Sequence, residues 1–383
     1  MKPSPRFLLL LPVALLPFLH TGAQGGSTSL PGVGELGGPA TDLSGAELDL
    51  FLAGRALFDT QVHKTRGLGT PELNADSCRG CHQDPVLGGS GGLELNVSRF
   101  AKDNLGLGPF QNLPGGQAAS KLRPPYVEGR EEYSEAADVF EQRQTPSIFG
   151  LGLLDSVGDL EILSREDEND ADSDGISGRA RQLLVGGQPE IGRFGWKAQV
   201  PHLADFVNDA MAGELGLTTP DNGRGFALIA DADSVADPEL TPDEVTAVGF
   251  WMKNLAAPER VGSLDPEVLA GELLFDTIGC AKCHVPELVG ANGPVRAYTD
   301  LLLHDVMPGP YRGMEEPGAE AGEFRTPPLW GIRHTAPYMH DGRAEDLRGA
   351  IQAHNGEALA VRDAFLALDA LDQDALLAFL NDL

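Results

Sequence analysis

Apolar residues recur at helical spacing from Leu48 through Phe51, Leu52, Ala56 and Leu57, the stripe of a helix with one buried face. Ser44-x-x-Glu47 just ahead is a capping box, so a helix is predicted to open there. Thr241-Pro242-Asp243-Glu244 is a second capping box with proline at the first helical position. It predicts a helix to about Ala256, stopped by Pro258. Asp265-Pro266 predicts another helix start. From 85 to 240 glycine and proline break the pattern and strand signals are weak. That stretch reads as an irregular insert.

The pattern repeats. Ala53-Gly54-x-x-Leu57-Phe58-Asp59-Thr60 returns as Ala270-Gly271-x-x-Leu274-Phe275-Asp276-Thr277. Arg143-Gln-Thr-Pro-Ser-Ile148 is echoed by Arg325-Thr-Pro-Pro-Leu329. Apolar segments Val248–Leu255 and Leu376–Leu383 close the two halves. A duplicated domain explains features recurring in the same order. The expected fold is mainly α, with two cytochrome c-like haem domains and a large irregular insert in the first. The expected boundaries are 45–260 and 261–383.

The haem expectation comes from the cysteines. All four lie in two pentapeptides, CRGCH at Cys78–His82 and CAKCH at Cys280–His284. CxxCH is the attachment pattern of c-type haem. Cys78, Cys81, Cys280 and Cys283 would each form a thioether, and His82 and His284 would ligate the two irons. A zinc site or a redox CxxC is the competing reading.

The amino end supports the haem reading. Lys2 and Arg6 precede a 13-residue apolar run, Phe7–Leu19, and Thr21-Gly-Ala23 offers a cleavage site. Residues 1–23 read as a signal peptide and 24–44 as a flexible leader, so a periplasmic protein is expected. Bare cysteine pairs would oxidise in that compartment. The net charge of −29 argues against nucleic acid and anionic membranes, and suits a basic redox partner. Aromatics are only 6% of residues; porphyrin would add flat apolar bulk to the core.

Longer motifs carry a family resemblance. Phe324-Arg-Thr-Pro-Pro-Leu-Trp-Gly331 and Thr335-Ala-Pro-Tyr-Met-His-Asp-Gly342 resemble the C-terminal haem domain of bacterial di-haem cytochrome c peroxidases and of the relative that matures tryptophan tryptophylquinone. Asp174–Arg179, Gly192–Lys197, Tyr298–Asp305 and Ala350–Ala358 are more similar to a sister family, the di-haem oxidoreductases, a group of peroxidases and thiol oxidoreductases. The resemblance covers roughly residues 46–383. It implies one haem that passes electrons and another that meets peroxide or a similar small oxidant. The alternative is a non-catalytic di-haem electron-transfer cytochrome; oxidation of a protein or thiol is a third reading.

The sixth ligands separate these readings, because an iron with a free position can take an oxidant. The related peroxidases place a methionine beyond the His-Asp-Gly motif; here the corresponding count reaches His354. His354 is therefore the expected distal ligand of the second haem, with Met307 and Met339 as alternatives. For the first haem the candidates are His63, Tyr126, Lys197, His202, Met211 and Met252, and none is preferred. Glu161 is the candidate proton-transfer residue. Trp196 and Trp330 are expected to pack against porphyrin or to relay an electron hole. Asp170, Asp172 and Asp174 have the alternation of the first half of a calcium loop, with Gly175 at the turn. Calcium between domains is implied by the related peroxidases.

Overall fold

The computed structural model describes residues 30–69, 74–102, 111–118, 135–307 and 309–383. The predicted signal peptide lies outside these residues. Elements run in the order α1 (Gly45–Asp59), β1 (Val97–Lys102), β2 (Gln111–Ala118), β3 (Val139–Arg143), α2 (Leu151–Asp155) and α3 (Asp159–Leu163). Then come β4 (Gln182–Val185), β5 (Gln188–Ile191), α4 (Leu203–Ala210), α5 (Pro242–Asn254) and α6 (Pro266–Thr277). The chain ends with β6 (Leu288–Gly290), β7 (Gly293–Val295), β8 (Leu303–Asp305), β9 (Glu323–Arg325), α7 (Leu347–Ala353), α8 (Leu359–Ala367) and α9 (Ala370–Asp382).

The capping boxes form as predicted. Ser44 N–H donates to Glu47 Oε2 at 2.9 Å, and Thr241 N–H to Glu244 Oε2 at 2.9 Å. Asp265 caps α6, accepting from Glu267 N–H at 3.0 Å. The repeated motif has a packing reason. α1 crosses α5 and α6 crosses α9, each at its repeated glycine. A Cβ on Gly54 would lie 2.0 Å from Ala247 O; on Gly271 it would lie 1.9 Å from Ala375 O. Only a residue without Cβ admits so close a crossing. Phe58 then meets Trp251 at 4.5 Å between ring centroids, and Phe275 meets Phe379 at 5.2 Å. Phe275, Phe365, Leu376 and Phe379 form the buried centre of the second half.

The mainly α expectation is corrected to a mixed architecture. Among the described residues, β1 pairs antiparallel with β2 and β3, and β4–β5, β6–β7 and β8–β9 make two-stranded ladders. Apart from β2, these strands run three to six residues, too brief for a clear alternating pattern. β4 and β5 turn at Gly186-Gly187, where φ is +57° and +82°, the paired positive angles of a tight hairpin. Part of the expected leader is tied down: Pro39 bridges Leu255, and Ala256 N–H donates to Gly38 O at 3.0 Å. Residues 31–383 gather into one compact unit.

Candidate haem site

Both CxxCH segments open into one cavity of about 490 Å³, with Cys78, Cys81, His82, Cys280, Cys283 and His284 on its walls. The four cysteines are not bridged to one another. Burial pushes the thiols of Cys78, Cys81 and Cys280 up to about 12, so they stay protonated. Each segment begins as a short helical turn in which the histidine N–H reaches back to the first cysteine carbonyl, at 3.0 Å in both copies. This turns cysteines and histidine toward one space.

Each expected proximal imidazole is oriented through its other nitrogen. His82 Nδ1 lies 3.1 Å from Gly89 O, and His284 Nδ1 lies 3.0 Å from Tyr298 O. Such a contact fixes the tautomer and leaves Nε2 for a metal. Burial depresses both histidines to about 4, so the ligating neutral form prevails at neutral pH.

His354 faces His284. The ring centroids are 6.5 Å apart at an interplanar angle of 67°. His354 Nδ1 lies 2.8 Å from Ala350 O, which again leaves Nε2 free. A metal–imidazole bond is about 2 Å long, so two of them and the intervening half-rings roughly fill that gap. Met307 and Met339 also line the cavity, and Arg343 donates to the Met307 sulfur. The loop after His354 is anchored by Glu357. Its carboxylate accepts from Ser177 N–H and Asp305 N–H, each at 2.9 Å, and meets His304 Nδ1 at 3.0 Å. Asp300 holds the other face of His304 at 2.8 Å. Burial would lower the His304 pKa, but Asp300, the Cys283 sulfur and Glu357 together raise it well above its usual value.

The first half is arranged differently. The His82 ring packs on Phe58 at 5.9 Å, and among the described residues no second imidazole stands against it. Met211 and Met252 line the cavity. Lys197 is fully buried but engaged elsewhere: Nζ donates to the carbonyls of Glu320, Ala321 and Glu323. His202 pairs with Glu190 at 3.1 Å, and His63 is exposed. Tyr126 lies outside the described residues. Trp196 lines the cavity and donates to Gln144 O at 2.9 Å; Trp330 also lines it.

Glu161 is not brought to the cavity. It sits on α3, where Arg165 one turn later pairs with it at 2.7 Å. Two carboxyls that the sequence reading missed do line the cavity, Asp209 and Glu214. Asp209 lies in the last turn of α4, and Glu214 sits on the π-helical turn Met211–Leu215 that continues it. Burial raises Asp209 to about 6 and also raises Glu214, to which Asn74 donates at 2.5 Å. Glu214 also acts on the Cys78 and Cys81 thiols, which places it by the first CxxCH. The apolar periodicity around Phe206 and Val207 hints at a helix, but nothing in it marks these acids.

The acidic loop departs from its expected pattern. Asp167, Asp170 and Asp172 bring carboxylate oxygens within 4.8 Å of one another, whereas Asp174 turns to Lys282 at 2.8 Å. That ion pair ties the loop to the second CxxCH.

Residues 133–383 match the family model described as "Di-haem oxidoreductase, putative peroxidase". The chain belongs to this di-haem oxidoreductase family. A curated relative, the cytochrome-c peroxidase IdrP2 of Pseudomonas sp. (strain SCT), is 32% identical over 147 residues. The match spans 31% of this chain and 39% of that protein, well under two thirds of its length. A crystal structure of a MauG-like protein associated with microbial copper homeostasis covers 89% of each chain at 19% identity and a TM-score of 0.43. Hydrazine synthase of Kuenenia stuttgartiensis covers 97% of this chain and 100% of its own, at 15% identity and a TM-score of 0.37. The assignment rests on the family match alone. Among the described residues no helix is long and apolar enough to cross a membrane.

Proposed function

We propose that this chain is an exported di-haem c-type oxidoreductase of the peroxidase kind. Haem is held through Cys78 and Cys81 over His82, and through Cys280 and Cys283 over His284. His354 closes the second centre, which passes electrons. The first centre keeps a place for peroxide or another small oxidant. The observation that carries this reading is the asymmetry of the shared cavity: an imidazole faces His284, while the half-buried Glu214 carboxyl lies by the first CxxCH with Asp209 near it.

The residues present fit such a group. The walls are mostly apolar, the thiols are unbridged, and the imidazoles are neutral with Nδ1 already held. When bound, haem supplies an iron that changes oxidation state and a coordination position for the oxidant. The protein's part is orientation and proton handling. Asp209 holds a proton up to about pH 6 and can pass it to an oxygen in the cavity or take one back. Apolar walls such as Leu151, Leu154 and Val248 keep bulk water from competing. The net charge of −29 would steer a basic redox protein to the surface. Calcium is not part of this proposal, because Asp174, one of the three expected ligands, is committed to Lys282.

Acid–solvent extraction of the exported, denatured protein should leave two haems per chain attached. In electron paramagnetic resonance, His354→Ala should convert one low-spin signal to high spin. The wild type should show a high-spin or displaceable centre that reacts with hydrogen peroxide, in the oxidised or half-reduced state. Two unreactive low-spin centres in both states would select the electron-carrier reading. Colourless protein would end the haem reading.

A further inference from the structure

Four arginines line the cavity: Arg99, Arg143, Arg325 and Arg362. Three have a carboxylate neighbour. Arg99 and Arg143 pair with Glu316 at 2.7 and 2.6 Å, and Arg362 with Asp363 at 2.8 Å. Arg325 differs. It is only 9% exposed. Its Nε donates to Gly195 O and its Nη1 to Thr326 O, both at 3.0 Å. Among the described residues no carboxylate pairs with it and no acceptor engages Nη2. Asp300, the anion that acts on it from farther away, is already engaged by His304 and by Leu302 N–H.

A buried guanidinium without an anion is unfavourable, and the planar fork of arginine matches a carboxylate. Carbonyls satisfy its N–H groups in part but do not neutralise its charge. The missing partner is therefore an anion within the cavity. We propose that Arg325 is the seat of a haem propionate carboxylate. This rests on the haem reading above. Thr326, next in the chain, accepts through its carbonyl from the Thr299 hydroxyl at 2.6 Å, and Thr299 follows Tyr298, whose carbonyl orients His284. Arg325 thus belongs with the second centre. Its positive charge would be offset by the propionate and would favour the reduced iron.

The test uses the holoprotein with Arg325→Gln and Arg325→Lys. Haem is counted by pyridine haemochrome, each reduction potential is titrated spectroelectrochemically, and propionate bending bands are read by resonance Raman. In Arg325→Gln both haems should remain attached. The second centre should shift to a more negative potential, and one propionate band should move. Arg325→Lys should restore the charge and most of the potential while leaving the band displaced. If Arg325→Gln fails to fold, the band displacement in Arg325→Lys decides. Two attached haems with unchanged bands and potentials would overturn the assignment while leaving the haem reading intact. A wild-type protein with fewer than two haems would instead overturn the haem reading. A potential or band that responds to added acetate or formate in the wild type would show that a free small anion occupies the site, which also overturns the propionate assignment.

Discussion

At the scale of single residues, the site depends on which groups are neutral and which are charged. Burial keeps His82 and His284 neutral, and it keeps Asp209 protonated further up the pH scale than an exposed aspartate. With its folded pKa raised from 3.8 to about 6, Asp209 adds stability that is full below pH 3.8 and lost as pH rises through 6. Asp209→Asn should therefore flatten the stability profile across that window. It should also lower peroxide turnover by about 100-fold and remove the inflection near pH 6 in its rate profile. An unchanged profile would remove Asp209 from proton transfer. Glu161 sits in a similar sequence setting, a carboxylate on a short helix, but its position beside Arg165 lowers its pKa despite partial burial. Sequence could not separate the two, because burial is set by elements far away in the chain.

At the scale of elements, the repeated glycines make the two helix crossings possible. Gly54→Ala and Gly271→Ala each drive a methyl into a backbone carbonyl that side-chain rotation cannot relieve. Each should cost about 1–3 kcal/mol in denaturant unfolding. Gly249→Ala on α5 is the control: its Cβ would meet nothing nearer than Val207 Cγ2 at 3.9 Å, and helix propensity predicts no loss. Equal destabilisation at all three glycines would reject the close-crossing argument. The capping boxes and the terminal apolar helices were legible because capping and periodicity are local. The short strands of 97–102 and 303–305 were not, since a three- to six-residue strand has too few alternations to read and is fixed by its partner.

At the scale of the whole molecule, one half-buried carboxylate gathers distant segments. Glu316 accepts from Arg99 on β1 at 2.7 Å, from Arg143 on β3 at 2.6 Å and from Arg181 at 2.9 Å. Burial alone would raise its pKa, but the three guanidiniums prevail and hold it far below 4.5. Its stabilisation is present above pH 4.5 and is lost as pH falls toward that depressed value. Glu316→Gln takes the carboxylate from Arg181 and leaves Arg99 and Arg143 to share Glu141. It should cost about 3–5 kcal/mol, measured by chemical denaturation at pH 7. A loss below 1 kcal/mol would show that water or other carboxylates serve the arginines equally well.

The amino-acid sequence alone determined the two CxxCH segments, the repeated motif, the helix starts and the family to which the chain belongs. Each is written in contiguous residues, so no knowledge of distant neighbours is needed. Tertiary structure decided that His354 stands 6.5 Å from His284, that Asp209 rather than Glu161 enters the cavity, and that Arg325 meets no carboxylate among the described residues. These are relations between segments brought together by folding. Burial and charge pairing act through space, and spacing along the chain does not record them.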